Sequence, residues 1–284
     1  MLNFLTRIRV CMSVNYDVVI KSGDAPVEMN AALETLSGAR DVACLLAEAI
    51  LRKKVVYKLT ASSPATAVLH QSFKSSYGQN FELVINDKKL NARLTEITNP
   101  VFVEIMSFYI SEALYIQNPP LSKKALGYIL ELEDIEDDLV GRIRNPLKQM
   151  HKINYRNHYD IEFNYKNDQR KRKIVNLDTN TGNNLIYTET KRESIEIIAV
   201  VTRFNSRTGN GRLVLQGEND TTAFGFYMPF GAVPEVQKRI MSLNLHKNTG
   251  KRDDFIYLKM IVSRVVIKSG ATVKYLVRSA SVLE

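Results

Sequence analysis

The sequence is poor in the residues that most often carry chemistry. In 284 residues it has two cysteines, four histidines and no tryptophan. Cys11 and Cys44 lie far apart and no CxxC is present, so a disulfide framework is excluded and the usage is that of a reducing compartment. His70, His151, His158 and His246 are scattered, with no HxxxH or HExxH spacing to hold zinc. There is no P-loop, no GxGxxG and no GxSxG. No apolar run approaches the roughly 20 residues that cross a bilayer. The opening stretch, Met1 to Val14, is interrupted by Thr6, Arg7 and Arg9, which makes a poor signal peptide, and Met12 offers an alternative start. These absences predict a cytoplasmic protein without cofactor, metal or membrane partner.

What the chain does have is core-forming material and an uneven charge. Hydrophobic residues make up 45% and charged residues 24%, the values of a globular protein with real cores. The length predicts two domains. Residues 1–141 carry 14 lysines and arginines against 17 acids, a net of −3, and residues 142–284 carry 25 against 13, a net of +12. A basic half joined to a mildly acidic half points to a surface that seeks polyanions, and it also fits solubility charge on an exposed β-domain.

The N-terminal part reads as α+β. Tyr16 to Ile20 is a short strand ended by Ser22-Gly23-Asp24. Ser37 to Lys54 reads as a helix capped by Ser37, with Val42, Leu45, Leu46, Ala49 and Ile50 at helical spacing. Val55-Val56-Tyr57, Ser72-Phe73-Lys74 and Phe81 to Ile85 read as strands, with a turn at Asn86-Asp87. A helix is expected from Asn99 to the Asn118-Pro119-Pro120 stop, and a second long one from Ser122 to Lys152, bent or ended by Pro146. On that second helix Glu133, Glu136 and Asp137 would share a face, either as a solvated acidic surface or as carboxylates of a metal-dependent nuclease. Residues 1–153 are thus an α+β interaction domain of two or three helices on a small sheet. Residues 154–193, with the Arg170-Lys171-Arg172-Lys173 cluster and an alternating Ile161, Phe163, Tyr165, form a basic connector with strands available to either domain.

Residues 194–284 have a different rhythm. Three β-prone runs, Ile195 to Phe204, Arg212 to Leu215 and Thr221 to Met228, are separated by Asn205 to Gly211 and Gly217 to Asp220. A helical stretch from Val233 to Leu245 follows, with Val236, Ile240 and Leu243 on one side. Phe255 to Lys268 and Thr272 to Leu283 then close as a hairpin around Ser269-Gly270. Three strands, a helix and two strands is the order of a five-stranded OB-like β-barrel.

Within this stretch, Phe204-Asn205, the Gly209–Gly211 spacing and Thr222-Ala223-Phe224-Gly225-Phe226 resemble the cold-shock domain over about residues 199–228. The resemblance implies a barrel that binds single-stranded nucleic acid. The chain departs from the family where bases stack: Arg203, Asn210 and Arg212 stand where aromatics are expected. Arginine planes also stack on bases, so Arg203 and Arg212 keep a role. Phe224 and Phe226 fall on one face, as a stacking strand or as barrel core.

Arg203, Arg207, Arg212, Phe224, Phe226, Lys259, Arg264 and Lys274 are therefore the expected nucleic-acid contacts, with Lys268 and Arg278 also on the closing hairpin. The expected partner is single-stranded DNA or RNA, and no reaction is expected. The alternative is an accessory subunit of a bacterial multi-component system such as phage defence, in which the N-terminal domain contacts a protein partner or a second copy and nucleic acid plays no part.

Overall fold

The computed structural model describes residues 13–74, 77–167, 171–251 and 254–283. It is a mixed α+β chain with two five-stranded sheets, and it divides into two compact units after Leu185. No helix among the described residues is long and apolar enough to cross a membrane.

In chain order the first unit runs β1 (Ser13–Ile20), α1 (Met29–Arg52), β2 (Ala65–Lys74), β3 (Tyr77–Ile85), α2 (Lys88–Ile97), α3 (Asn99–Leu114), α4 (Lys123–Leu130), α5 (Glu136–Met150), α6 (Lys152–Asn157), β4 (Ile161–Lys166), β5 (Lys171–Leu177) and α7 (Thr179–Ile186). The sheet order is β2-β3-β1-β4-β5 and every neighbouring pair is antiparallel. Val14, Tyr16, Val18 and Ile20 alternate along β1 onto the core face. There Tyr16, Phe81 and Phe163 pack their rings with centroids 5.2 to 6.2 Å apart. α1, α3 and α5 supply the rest of this core. The intervening residues Asn15, Asp17 and Val19 point to the opposite face and stay outside the core cluster.

Several expectations are corrected here. α1 begins at Met29, eight residues before Ser37, because the Glu28 carboxylate accepts from the Asn30 and Ala31 amides at 3.1 and 3.0 Å and caps it. The helix passes Ser37 and Gly38 without a break, and a Cβ on Gly38 would lie 2.6 Å from the Pro146 carbonyl and 2.5 Å from the Met150 nitrogen. Gly38 is therefore where α1 and α5 touch backbone to backbone. Val55 to Tyr57 is not a strand but irregular chain after the left-handed Lys53. Asp87 is not only a turn residue: it caps α2, accepting from Lys89 and Leu90 amides at 2.9 and 3.0 Å.

The expected long helix after Ser122 is two helices, α4 and α5, joined by a 3-10 turn at Glu133–Ile135. Pro146 lies inside α5 and does not end it. The acidic run is consequently split. Glu131 takes Lys53 at 2.8 Å and Arg93 at 3.2 Å, while Glu136, Asp137 and Asp138 sit in the first turn of α5, where the helix dipole favours negative charge. Glu133, Glu136 and Asp137 do not share one helix face. Among the described residues no group of His, Cys, Asp and Glu is placed to hold a metal.

Of residues 154–193, β4 and β5 complete the first sheet, α7 follows, and β6 of the second unit has already begun. That second unit runs β6 (Thr188–Phe204), β7 (Gly211–Leu215), β8 (Thr221–Phe226), α8 (Glu235–Asn248), β9 (Leu258–Ile267) and β10 (Thr272–Val282). The strands form a closed barrel in the order β10-β8-β7-β6-β9, with β8 and β10 parallel and all other pairs antiparallel. Ala199, Val201, Leu213, Phe224, Met260, Val262, Val277 and their neighbours fill it.

α8 does not dock as its apolar spacing predicts. Val236 and Leu243 are 66% and 55% exposed, whereas Met241, Asn244 and Asn248 are buried. Amides take the inward positions because they bind the backbone of β6, of β10 and of the segment before β9. Asn244 accepts from the Val201 amide at 2.8 Å and donates to the Ile256 carbonyl at 2.7 Å. Asn248 exchanges two bonds with Ile256, and Gln237 exchanges two with Ala280.

Candidate nucleic-acid interface

A single irregularity in β6 sets the chemistry of the barrel surface. Val201 pairs with Leu213, both inside the barrel. Strict alternation would then send Arg203 inward as well. The register instead shifts at Thr202, so that Arg203 stands opposite Arg212 and Phe204 opposite Gly211. Such a bulge moves one side chain set to the other face. Arg203 thereby leaves the core and Phe204 enters it, stacking on Phe224 with ring centroids 6.2 Å apart and planes 7° from parallel.

The outward register continues across the sheet. Arg212 stands opposite Ala223 on β8, and Ala223 stands opposite Lys274 on β10. Arg203, Arg212 and Lys274 therefore form one row over four strands. Arg212 is held by Thr221, donating to its Oγ1 at 2.8 Å and its carbonyl at 3.1 Å. Lys274 lies over Gly225 and donates to Asn210 Oδ1 at 3.0 Å. Arg207 is exposed in the β6–β7 loop, whose turn is built by Asn205 Oδ1 accepting from the Arg207 and Thr208 amides.

Further along the same face, the Arg278 guanidinium lies 3.7 Å from the centroid of the Tyr227 ring. Ser263 Oγ and the Arg192 carbonyl accept from Arg278 at 3.0 and 3.3 Å and fix its plane. Tyr227 is 45% exposed. Tyr227 was not among the expected contacts, and Arg278 was expected only as a further cation of the closing hairpin. The signal for Tyr227 is in the run Phe224-Gly225-Phe226-Tyr227: if both phenylalanines point in, the tyrosine points out.

The remaining expected residues are separated from this row. Phe224 is fully buried and belongs to the core, so it offers no stacking surface. Phe226 is half-buried and packs edge-on against Phe204 and beside Phe230, with centroids at 6.5 and 5.9 Å. Lys259 is outward on β9, next to Ile198 of β6, and its ammonium is 2.8 Å from Glu196. Arg264 pairs with Tyr275, a core residue, and so lies on the face of the hairpin opposite to Lys274. The closing hairpin thus does not carry one continuous track of cations. Of the Arg170–Lys173 cluster, Arg170 lies outside the described residues, while Arg172 and Lys173 on β5 pair with Glu104 and Glu162, each at 3.4 Å.

Cys44 and His151, both buried in the first unit, are structural. Burial pushes the Cys44 thiol up to about 12, which removes it as a nucleophile. His151 is fully buried, and burial pushes its imidazole down to about 4. Leu147 carbonyl lies 2.7 Å from Nδ1 and Thr181 Oγ1 lies 3.0 Å from Nε2, so the neutral ring donates to the first and accepts from the second. Comparison with known proteins gives no match: no family model, no curated protein and no solved structure matches this chain.

Proposed function

We infer that the C-terminal barrel binds single-stranded nucleic acid across the outer face of β7 and β8. The observation that carries this is the row of Arg203, Arg212 and Lys274, in register over four strands. Cations lined up across neighbouring strands offer a phosphate backbone successive contacts along one direction. The Arg278–Tyr227 pair adds a flat, partly exposed platform of the kind on which bases stack. The strand order supports the OB reading. Counted from β6, the circular order is 1-2-3-5-4, with the third and fifth strands parallel and a helix between the third and fourth. In OB barrels the face of strands 2 and 3 and the 1–2 and 4–5 loops take oligonucleotides.

The test is fluorescence anisotropy with labelled single-stranded DNA and RNA, titrated across salt. Three phosphate contacts give a slope of log affinity against log salt of about −2, from about −0.7 per contact. Arg203→Ala, Arg212→Ala and Lys274→Ala together should flatten that slope and weaken binding on every sequence. Binding that is indifferent to salt, or that survives the triple change, would sink the reading. Attention would then move to the exposed Val236 and Leu243 of α8 as a contact for a protein partner.

A further inference from the structure

The first unit carries a second candidate site, on the sheet face that its hydrophobic core does not use. Register places Lys171, Lys166, Asn15 and Glu82 side by side across β5, β4, β1 and β3. The next row holds Lys173, Asn164, Asp17 and Asn80. Asp17 and Asn164 are only 4% and 2% exposed, and Asn80 Nδ2 donates to Asp17 Oδ1 at 2.9 Å, which ties the Asn80 amide to the strand beside it. A cavity of about 400 Å³ opens on this face, lined by Asn15, Asn80, Glu82 and Lys166 and, toward β2, by His70, Gln71 and Phe73. An adjoining cavity of about 370 Å³ shares Asn15, Asn80 and Lys166.

The charge of this face is graded. Lys166 and Lys171 are exposed and make no ion pair among the described residues, which leaves cationic capacity at the β4–β5 side. Glu82, two strands away, is engaged by the Ser13 side chain and by His70, whose Nε2 is 3.0 Å from its carboxylate, and these contacts hold its carboxyl below the usual range. At the far side the Phe73 ring rests on Gly78, where an added Cβ would lie 2.3 Å from the ring edge. Across the sheet run cation, amide and carboxylate with imidazole, and the Phe73 ring, opposite Gly78 further along β3, lines the same cavity. An anionic group belongs at the lysines, a polyhydroxyl or amide-rich middle over Asn15 and Asn80, and a flat ring with hydrogen-bond donors beside Glu82 and Phe73.

We propose that this face binds a nucleotide, with its phosphate at Lys166 and its base against Phe73. The site lies in the first unit and does not depend on the reading of the barrel. The ligand is either a free mononucleotide or one nucleotide unit of a single strand, and the chemistry recognised is the same.

The experiment uses the full chain carrying the three alanines at Arg203, Arg212 and Lys274, so that barrel binding does not contribute. ATP, GTP, CTP and UTP are titrated by calorimetry beside ribose 5-phosphate, inorganic phosphate and a four-residue single-stranded oligonucleotide. Nucleotides should bind more tightly than ribose 5-phosphate or phosphate, because the ring contributes. Lys166→Ala should weaken nucleotide binding about tenfold, the loss expected for a hydrogen bond to a charged group. Phe73→Leu, which keeps an apolar side chain over Gly78, should weaken it by a similar factor through lost stacking. Lys166 is exposed, so its replacement should leave the thermal midpoint unchanged and separates site loss from unfolding. Binding by the oligonucleotide alone, lost with Lys166→Ala, assigns the site to a strand; binding by mononucleotides assigns it to a free ligand. The proposal is overturned if no nucleotide or oligonucleotide binds, if phosphate binds as well as ATP, or if both variants keep full affinity.

Discussion

At the scale of single residues, the barrel separates aromatic side chains that hold the fold from those available to a ligand. Phe224 and Tyr227 lie three residues apart and have opposite duties. Phe224→Ala removes a fully buried ring and should cost about 3–5 kcal/mol, read as a lower urea midpoint. Tyr227→Ala should change stability by less than about 1 kcal/mol and still weaken oligonucleotide binding, since stacking is worth roughly 1–3 kcal/mol per base. An equal loss of stability in both variants would contradict this division. His151 gives a second residue-scale expectation. Unfolded, it titrates near 6.5, and folded near 4. Between those values the unfolded chain binds more protons, so the contribution of the neutral ring is complete above pH 6.5 and is lost as pH falls toward 4. The loss should approach roughly 3 kcal/mol, measured by urea unfolding at pH 7 and pH 4.5 beside His151→Gln, which should show a shallower acid dependence.

At the scale of elements, periodicity was informative where one face is apolar and misleading where amides do the docking. The buried spacing of α1, Val42 to Ile50, and the strands around Phe81 and Phe163 are readable directly. α8 is not, because Asn244 and Asn248 look like surface residues until their partners at Val201 and Ile256 are known. Helix starts were missed for a related reason: Glu28 and Asp87 cap through carboxylates in stretches that read as loop or turn. The outward turn of Arg203 was legible only in part, since the shift at Thr202 depends on pairing with β7 and leaves no local mark. Two measurements follow at this scale. Asn248→Leu should destabilise the barrel by about 1–3 kcal/mol, because it strands the Ile256 amide and leaves the Ile256 carbonyl with Asn244 alone. Gly38→Ala would raise the helix propensity of α1, yet should destabilise by about 1–3 kcal/mol, because its methyl meets the backbone of α5. A neutral or stabilising Gly38→Ala would mean that α1 and α5 can part more easily than their contact implies.

At the scale of the whole molecule, the division after Leu185 predicts that the second unit folds by itself. A cut at Ser194, where the sequence suggests the barrel begins, would remove Thr188 to Thr190, which pair with Val265 to Ile267 of β9. A fragment beginning at Ile186 should fold cooperatively and keep salt-dependent binding, whereas one beginning at Ser194 should melt at a lower temperature by circular dichroism. The parallel pairing of β10 with β8 has a further consequence, in the order of events as the chain folds. It joins residues about 50 apart, with α8 between them, and long closures of this kind are slow to form because the chain loses entropy before the contact rewards it. The β6–β7–β8 meander can assemble locally; the seal of the barrel comes last. Substitutions at that seal, such as Val277→Ala, should therefore speed unfolding and leave the refolding rate nearly unchanged.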